Sequence, residues 1–348
     1  MKLPVRKAIL LRRTYEAPAE GRAGKIRLDF NENTSGCSAA ARRALARLTA
    51  KQIATYPEYD VATRKLARYF RVQPEELLLT NGGDDALRVF FDTFVEPTTD
   101  ILICEPTFPM YRYWAEIAGA RIDVVRYGKN MEFPLDDAIR ALRKKPRLFF
   151  LANPNNPTGT HVCASDVRKL LRAATHTVVV LDEAYAEFSP ESAVPWIRRY
   201  PHLFVARTFS KAEGMAGLRL GAVIGGRDSL AFVRRAMAPY PVNIAAVAAG
   251  VAAVEERKTI DRYVSNVKRL RAWFDRELQR RGVRTYPSAA NFLLADFGKG
   301  GPAFFRKLER HNILVRERSH DLGPGYVRIT IGTETELKKL LQLYDSGR

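Results

Sequence analysis

The sequence predicts an α/β protein: a large domain with a mostly parallel sheet covered by helices, plus a smaller α+β domain. Three observations carry that expectation. Between residues 40 and 254 short apolar runs alternate with stretches of helical length, the texture of strands joined by crossover helices. Beyond residue 255 the texture changes to one long charged helix followed by two strand-like pieces. The length, 348 residues with 46% hydrophobic content, suits two globular cores of unequal size.

The first forty residues are too short to fold alone, so residues 1–40 are expected to form an arm and part of the small domain, with 41–254 as the large domain and 255–348 as the small one. In the large domain ILIC at 101–104, RIDVV at 121–125, RLFFLA at 147–152, TVVVLD at 177–182, HLFVART at 202–208 and LGAVIG at 220–225 read as strands. Several are continuously apolar, as strands buried on both faces must be. Segments of helical length, 109–118 and 164–174, lie between them. In the long helix expected over 258–281, Ile260, Val264, Val267, Leu270 and Phe274 recur every three or four residues and form one apolar stripe. ANFLLADF at 290–297 and GYVRITIG at 325–332 are the strands of the small domain, separated by the helix-like GPAFFRKLERH and followed by a last helix.

Bulk properties exclude several classes. The N-terminal MKLPVRKAILLRR has basic residues scattered through its apolar run and lacks the core of a signal peptide, and the Ala-rich stretch at 242–254 is too short to span a bilayer. A cytoplasmic protein with no membrane partner is expected. Cys37, Cys104 and Cys163 are odd in number and widely spaced, which indicates neither a disulfide framework nor a zinc site. His161-Val162-Cys163 has no second ligand pair, so no metal is expected. The formal charge of +19 comes from basic residues spread over separate helical segments, as in Arg42 and Arg43, Lys144 and Lys145, Arg234 and Arg235, Arg280 and Arg281. That distribution describes solvated helix faces rather than a nucleic-acid surface, and it suits a protein that handles anions.

In open α/β sheets functional residues gather at the carboxyl ends of strands, and five loops there carry chemistry. TNGGDDAL at 80–87 sets two glycines before a helix expected to begin near Asp84, an ordinary N-cap or an anion site built from free amides, in which Asp84 and Asp85 must point away from a phosphate. EPTFPMY at 105–111 offers Phe108 and Tyr111, which either pack or stack on a planar ring. LANPNNPTGT at 151–160 is a bare turn or a loop whose Asn156 donates an amide hydrogen. VVVLDEAYAEF at 178–188 closes a strand with Asp182 and places Tyr185 three residues on; a carboxylate there needs a partner such as a protonated pyridine nitrogen. RTFSKAEGMAGLRLGA at 207–222 is a solvated turn, or else the site of a phosphorylated aldehyde: Lys211 supplies a Schiff-base amine, and Thr208, Ser210 and Arg219 supply a clamp for a dianion.

In order and spacing these motifs resemble, over nearly the whole chain, the fold-type I aminotransferases, pyridoxal-phosphate enzymes of the aspartate aminotransferase superfamily. NEN at 31–33, TYP at 55–57, NGGDD at 81–85, PTFPMY at 106–111, SKAEGMAGLRLG and YVRITIGT at 326–333 are most similar to the histidinol-phosphate aminotransferase family. The resemblance implies the PLP-dependent transferase fold type I, with pyridoxal 5'-phosphate held in the large domain. It implies that Lys211 forms the Schiff base and, once freed by substrate, carries the proton between Cα and C4′. Asp182 then keeps the pyridine nitrogen protonated, Asn156 and Tyr185 bond the phenolic oxygen, and Phe108 stacks on the ring. The phosphate falls to Gly83, Asp84, Thr208, Ser210, Arg219 and Tyr56 of a partner subunit in a homodimer. Arg328 matches the arginine for the α-carboxylate; Arg316, with Arg318 as its nearest substitute, and Tyr15 match residues that meet a distal phosphate.

The reaction so implied exchanges the amino group of L-histidinol phosphate with 2-oxoglutarate, giving imidazole-acetol phosphate and L-glutamate. A threonine-phosphate decarboxylase-like lyase, an aromatic or other amino-acid aminotransferase, and a cofactor-sensing regulatory domain are the alternatives. The sequence departs from the family pattern in Thr34-Ser35-Gly36-Cys37-Ser38 after NEN, in Gly83 and in Asp85. The first departure bears on specificity more than on chemistry.

Overall fold

A computed structural model describes residues 3–10 and 20–347. Its twelve strands are, in chain order, β1 (Ile26–Leu28), β2 (Leu77–Thr80), β3 (Asp100–Glu105), β4 (Arg121–Arg126), β5 (Leu148–Ala152), β6 (Val178–Asp182), β7 (Leu203–Thr208), β8 (Gly221–Gly225), β9 (Arg284–Thr285), β10 (Phe292–Asp296), β11 (Ile313–Glu317) and β12 (Tyr326–Thr330). Seven form one sheet in the order β2-β8-β7-β6-β5-β3-β4. The pairings from β7 through β6, β5 and β3 to β4 are parallel, whereas β8 runs antiparallel to both β7 and β2. The expected parallel sheet is present, with an antiparallel edge.

Parallel neighbours need crossover connections, and helices such as Met110–Ala118, between β3 and β4, and Ala164–Ala173, between β5 and β6, supply them. Strands β5, β7 and β8 are buried at every position, which is why β5 and β8 are unbroken apolar runs and β7 is apolar up to Arg207, whose charge is paired with Glu183. Phe149, Leu151, Leu181 and Val205 pack into one apolar cluster, and Phe150, Val180, Phe204 and Val223 into another. That division follows the two-residue alternation of side chains along a strand.

The five-stranded sheet has the order β1-β11-β12-β10-β9, with β1 parallel to β11 and the other pairings antiparallel. The helix Arg257–Arg280 packs its buried stripe, Ile260, Val264, Val267, Leu270, Phe274 and Leu278, into the cluster of this sheet. Tyr185 and Ala212, from loops of the large sheet, belong to the same cluster. The two sheets therefore meet at the loops that carry the chemistry-bearing motifs.

Two differences from the sequence reading concern local register. The helix after β2 begins at Gly82 rather than near Asp84, because Gly82 takes φ +81° and turns the chain into the first helical turn. The φ requires glycine there, and a Cβ on Gly82 would also lie 2.6 Å from the Arg219 guanidinium and displace it. The strand Leu77–Thr80 was not among the expected elements; it pairs with β8 at the sheet edge.

Candidate active site

A cavity of about 310 Å³ opens where the ends of β5, β6 and β7 face the segment Phe30–Glu32 and the strands β11 and β12. Its lining includes Gly83, Asp84, Phe108, Asn156, Asp182, Tyr185, Thr208, Ser210, Lys211, Arg219, Arg316 and Arg328. These twelve sequence-selected residues converge from positions far apart in the chain. Tyr56 does not reach this cavity: it is 75% exposed and stacks on Tyr240 with ring centroids 4.3 Å apart. Tyr15 lies outside the described residues.

Lys211 follows β7 in a turn held by bonds from Met215 N to Phe209 O, 3.0 Å, and from Asn33 Nδ2 to Ala212 O, 3.1 Å. Its Nζ donates to Phe30 O at 3.0 Å. Burial and the nearby Arg328 charge lower its pKa to about 8, so a large fraction of the amine is neutral, and hence nucleophilic, in mildly alkaline water.

Asp182, the last residue of β6, is buried and accepts from Tyr111 Oη at 2.7 Å and from the Ala184 amide at 3.0 Å. Burial pushes its pKa up, and the two donors offset only part of that. No salt bridge among the described residues engages this carboxylate. A buried carboxylate that lines a cavity and has no ion-pair partner is an acceptor that a protonated ring nitrogen completes.

Tyr185 Oη accepts from Asn31 Nδ2 at 2.9 Å, which leaves its own hydrogen free to donate. Asn156 Oδ1 accepts from Arg328 Nη1 at 2.5 Å, which leaves the Asn156 amide hydrogens free. Asn31 can hold this position because asparagine tolerates its φ of +57°. Arg328 also donates to the Asp29 carbonyl, and its Nε is buried without a partner. Burial, with the charges of Arg318 and Arg316 against it, lowers the Arg328 pKa to about 10.

At the other end of the cavity Thr208 Oγ1 and Ser210 Oγ lie 3.0 Å apart, near the helix start at Gly83 and Asp84 with its unpaired amides. Arg219 has φ +57° and pairs through Nη2 with Asp84 at 3.0 Å. Of the two acidic residues expected to point away, Asp85 does so, accepting from Asn81 N and pairing with Arg88. Asp84 instead engages the clamp arginine, an ion pair that sequence spacing could not reveal.

Phe108 lines the cavity and meets Tyr111 edge-on, with centroids 5.9 Å apart and an interplanar angle of 84°. Tyr111, weighed as a stacking residue, is fully buried and serves Asp182 instead. Nothing in the sequence marks the Phe30 carbonyl, whereas the NEN motif is the available signal for the Asn31 amide.

Under the cavity lies an ion cluster. Arg207 pairs with Glu183 at 2.9 Å and with Glu187, while Glu213 accepts from Tyr69 Oη at 3.1 Å and keeps Oε2 buried without a partner. Burial and the Glu187 charge push the Glu213 carboxyl up, so it stays protonated where the unfolded chain has ionised. Stability from such a group is fully present below the ordinary carboxyl range and is lost as pH rises toward the raised value. Glu213→Gln cannot ionise. Its melting temperature relative to the unmodified protein is therefore expected to rise between pH 5.5 and 8.5, by about 2 °C or more. An equal difference at both pH values would show that Glu213 does not hold a proton.

An amine beside an aromatic wall, a carboxylate in need of a cationic ring nitrogen, two free donors and an anion clamp fit pyridoxal 5'-phosphate. Fold and site together define a PLP-dependent enzyme of fold type I. The family model for aminotransferase class I and II matches residues 23–343. Histidinol-phosphate aminotransferases of Geobacillus sp. (strain WCH70) and Symbiobacterium thermophilum are 34% and 36% identical to the chain. Each alignment covers 91% of this chain, and 88% and 89% of the respective relative. Among solved structures, histidinol-phosphate aminotransferase of Sinorhizobium meliloti in complex with pyridoxal-5'-phosphate superposes with a TM-score of 0.90 at 24% identity, covering 100% of this chain and 99% of that one. That likeness shows the fold. The chain belongs to the class I and II aminotransferases and is a pyridoxal-phosphate-dependent transaminase. Among the described residues no helix is long and apolar enough to cross a membrane.

Proposed function

We propose that this transaminase exchanges the amino group of L-histidinol phosphate with 2-oxoglutarate, as a cytoplasmic enzyme of histidine biosynthesis. The observation that carries the reading is a wall of guanidinium groups in the cavity that holds Lys211: Arg316 pairs with Arg328 across β11 and β12, and both line the cavity. Such a wall suits a substrate with an anion near its amino carbon. The names of the curated relatives support the same choice.

When bound, the cofactor ring accepts the electron pair left as a substrate's α-proton departs. The chain's own residues supply the rest. With the cofactor held there, Lys211 Nζ, neutral in part, would move the proton between the substrate Cα and the cofactor. Asp182 would keep the ring nitrogen charged, the Tyr185 hydroxyl and the Asn156 amide would donate to the phenolic oxygen, and Phe108 would stack on the ring. Gly83, Asp84, Thr208, Ser210 and Arg219 would hold the phosphate. Arg328 and Arg316 orient the substrate anion. In this reading residues 41–254 hold the cofactor, and residues 1–40 and 255–348 close the substrate side.

The enzyme is read as a homodimer in which Tyr56 completes the phosphate site of the partner. Ile53, Tyr56, Val61 and Tyr240 are all more than half exposed, an apolar group that a second copy would cover.

Half-reactions test the substrate assignment. Histidinol phosphate and glutamate are each expected to bleach the visible chromophore of the lysine-bound cofactor, and 2-oxoglutarate to restore it. No bleaching by histidinol phosphate, with bleaching by another amino acid, would remove the assignment and leave the transaminase. Carbon dioxide release without any need for a 2-oxo acid would identify a lyase instead.

A further inference from the structure

The substrate wall holds one arginine more than an α-carboxylate needs. Residues 316 and 318 share a face because strand side chains alternate, and Arg328 stands opposite Arg316 in the antiparallel register. The Arg318 amide donates to Tyr326 O at 2.9 Å, which carries the pairing past the end of β11. All three guanidinium groups line the cavity.

Arg318 is 5% exposed. Its Nη2 pairs with Asp321, which fixes the side chain, and its Nε is buried without a partner. The acids nearest the other side of this wall, Asp29 and Glu32, are engaged by Arg22 at 2.7 and 2.8 Å. Arg316 makes no ion pair among the described residues; its guanidinium lies 5.9 Å from the centre of the Phe30 ring. Three cations thus share one carboxylate of their own, Asp321. Like charges opposed in this way are unfavourable unless an anion joins them.

A phosphomonoester carries about 1.5 to 2 negative charges near neutral pH and three acceptor oxygens, whereas a carboxylate carries one charge and two oxygens. We propose that Arg318 is a specificity-determining residue that selects a phosphomonoester on the substrate over a carboxylate, by adding a pre-oriented third guanidinium to the Arg316–Arg328 wall. The inference rests on the reading that the substrate places a phosphate at this wall.

The test uses the holoenzyme, Arg318→Met and Arg318→Lys, with three probes: histidinol phosphate, glutamate, and phosphoethanolamine as an inhibitor. Phosphoethanolamine keeps the amine-to-phosphate spacing of an amino-alcohol phosphate and lacks the side chain. For Arg318→Met, kcat/KM with histidinol phosphate is expected to fall about 10- to 100-fold, chiefly through KM, and phosphoethanolamine inhibition to weaken by a similar factor. The loss with glutamate should be at least about tenfold smaller, and lysine should restore part of the phosphate preference as a point charge without the fork.

Equal losses for both substrates, no gain from lysine, or no competition by phosphoethanolamine with the unmodified enzyme would each overturn the proposal. Failure of the unmodified enzyme to accept histidinol phosphate, with phosphoethanolamine inhibition still dependent on Arg318, would defeat the substrate assignment and support this one.

Discussion

Replacing Lys211 with alanine is expected to lower turnover by about 10⁴-fold or more, the upper end of what a positioned proton carrier supplies. The loss combines two functions of one atom. Nζ is the only lysine nitrogen among the described residues that lines the cavity, and its bond to Phe30 O fixes where it points. Among the described residues no neighbour offers a second amine: the other cations that line the cavity are arginines, and the Tyr185 phenol is pushed up by burial. Lys211→Arg should therefore do no better than alanine, although it keeps the positive charge. Turnover within about a hundredfold of the unmodified enzyme in either variant would refute the role.

The lowered pKa of Lys211 adds a pH test. The charged form is disfavoured by burial and by Arg328, so the neutral fraction grows as pH rises through about 8 rather than near the ordinary lysine value. Capture of the cofactor by the apoprotein should accelerate about tenfold per pH unit below that point and level off above it. Acceleration continuing to pH 10 would mean that the amine is not perturbed. Arg328→Gln, which removes the nearby charge, should move the midpoint upward.

The central sheet was legible because burial on both faces leaves no polar position to interrupt an apolar run, as in Leu148–Ala152 and Leu203–Ala206. Strand β1 carries three residues and β9 two, too few for any period to show; they exist because neighbouring strands supply their bonds. Within the site, chemistry borne by side chains at strand ends could be read: an amine at 211, a carboxylate at 182, an amide at 156. Contributions from backbone could not. The carbonyl groups of Phe30 and Asp29 position Lys211 and Arg328, yet every residue type has a carbonyl. Nor could spacing show that Asp84 meets Arg219, or that Arg318 shares a wall with Arg328, since both depend on how distant strands register.

Asp182→Asn is expected to cost about 10²- to 10⁴-fold in turnover, the consequence of about 3–5 kcal/mol for breaking a buried charge pair from one side. The asparagine retains shape and can still accept from Tyr111 Oη, although its NH2 then faces the Ala184 amide that Asp182 Oδ1 accepts from. That one acceptor disappears, and so does the negative charge. Without it nothing in the cavity favours a proton on the ring nitrogen, since the other carboxylates that line it, Asp84 and Glu32, are paired with Arg219 and Arg22. Tyr111→Phe separates charge from scaffolding. It removes one of the two donors that offset the burial of Asp182, so ionisation of the carboxyl moves to higher pH while the group itself remains. Its activity should fall mainly on the acid side and recover at higher pH, whereas Asp182→Asn should be slow throughout. If the two variants share one pH profile, Asp182 acts by holding the site in shape rather than by its charge.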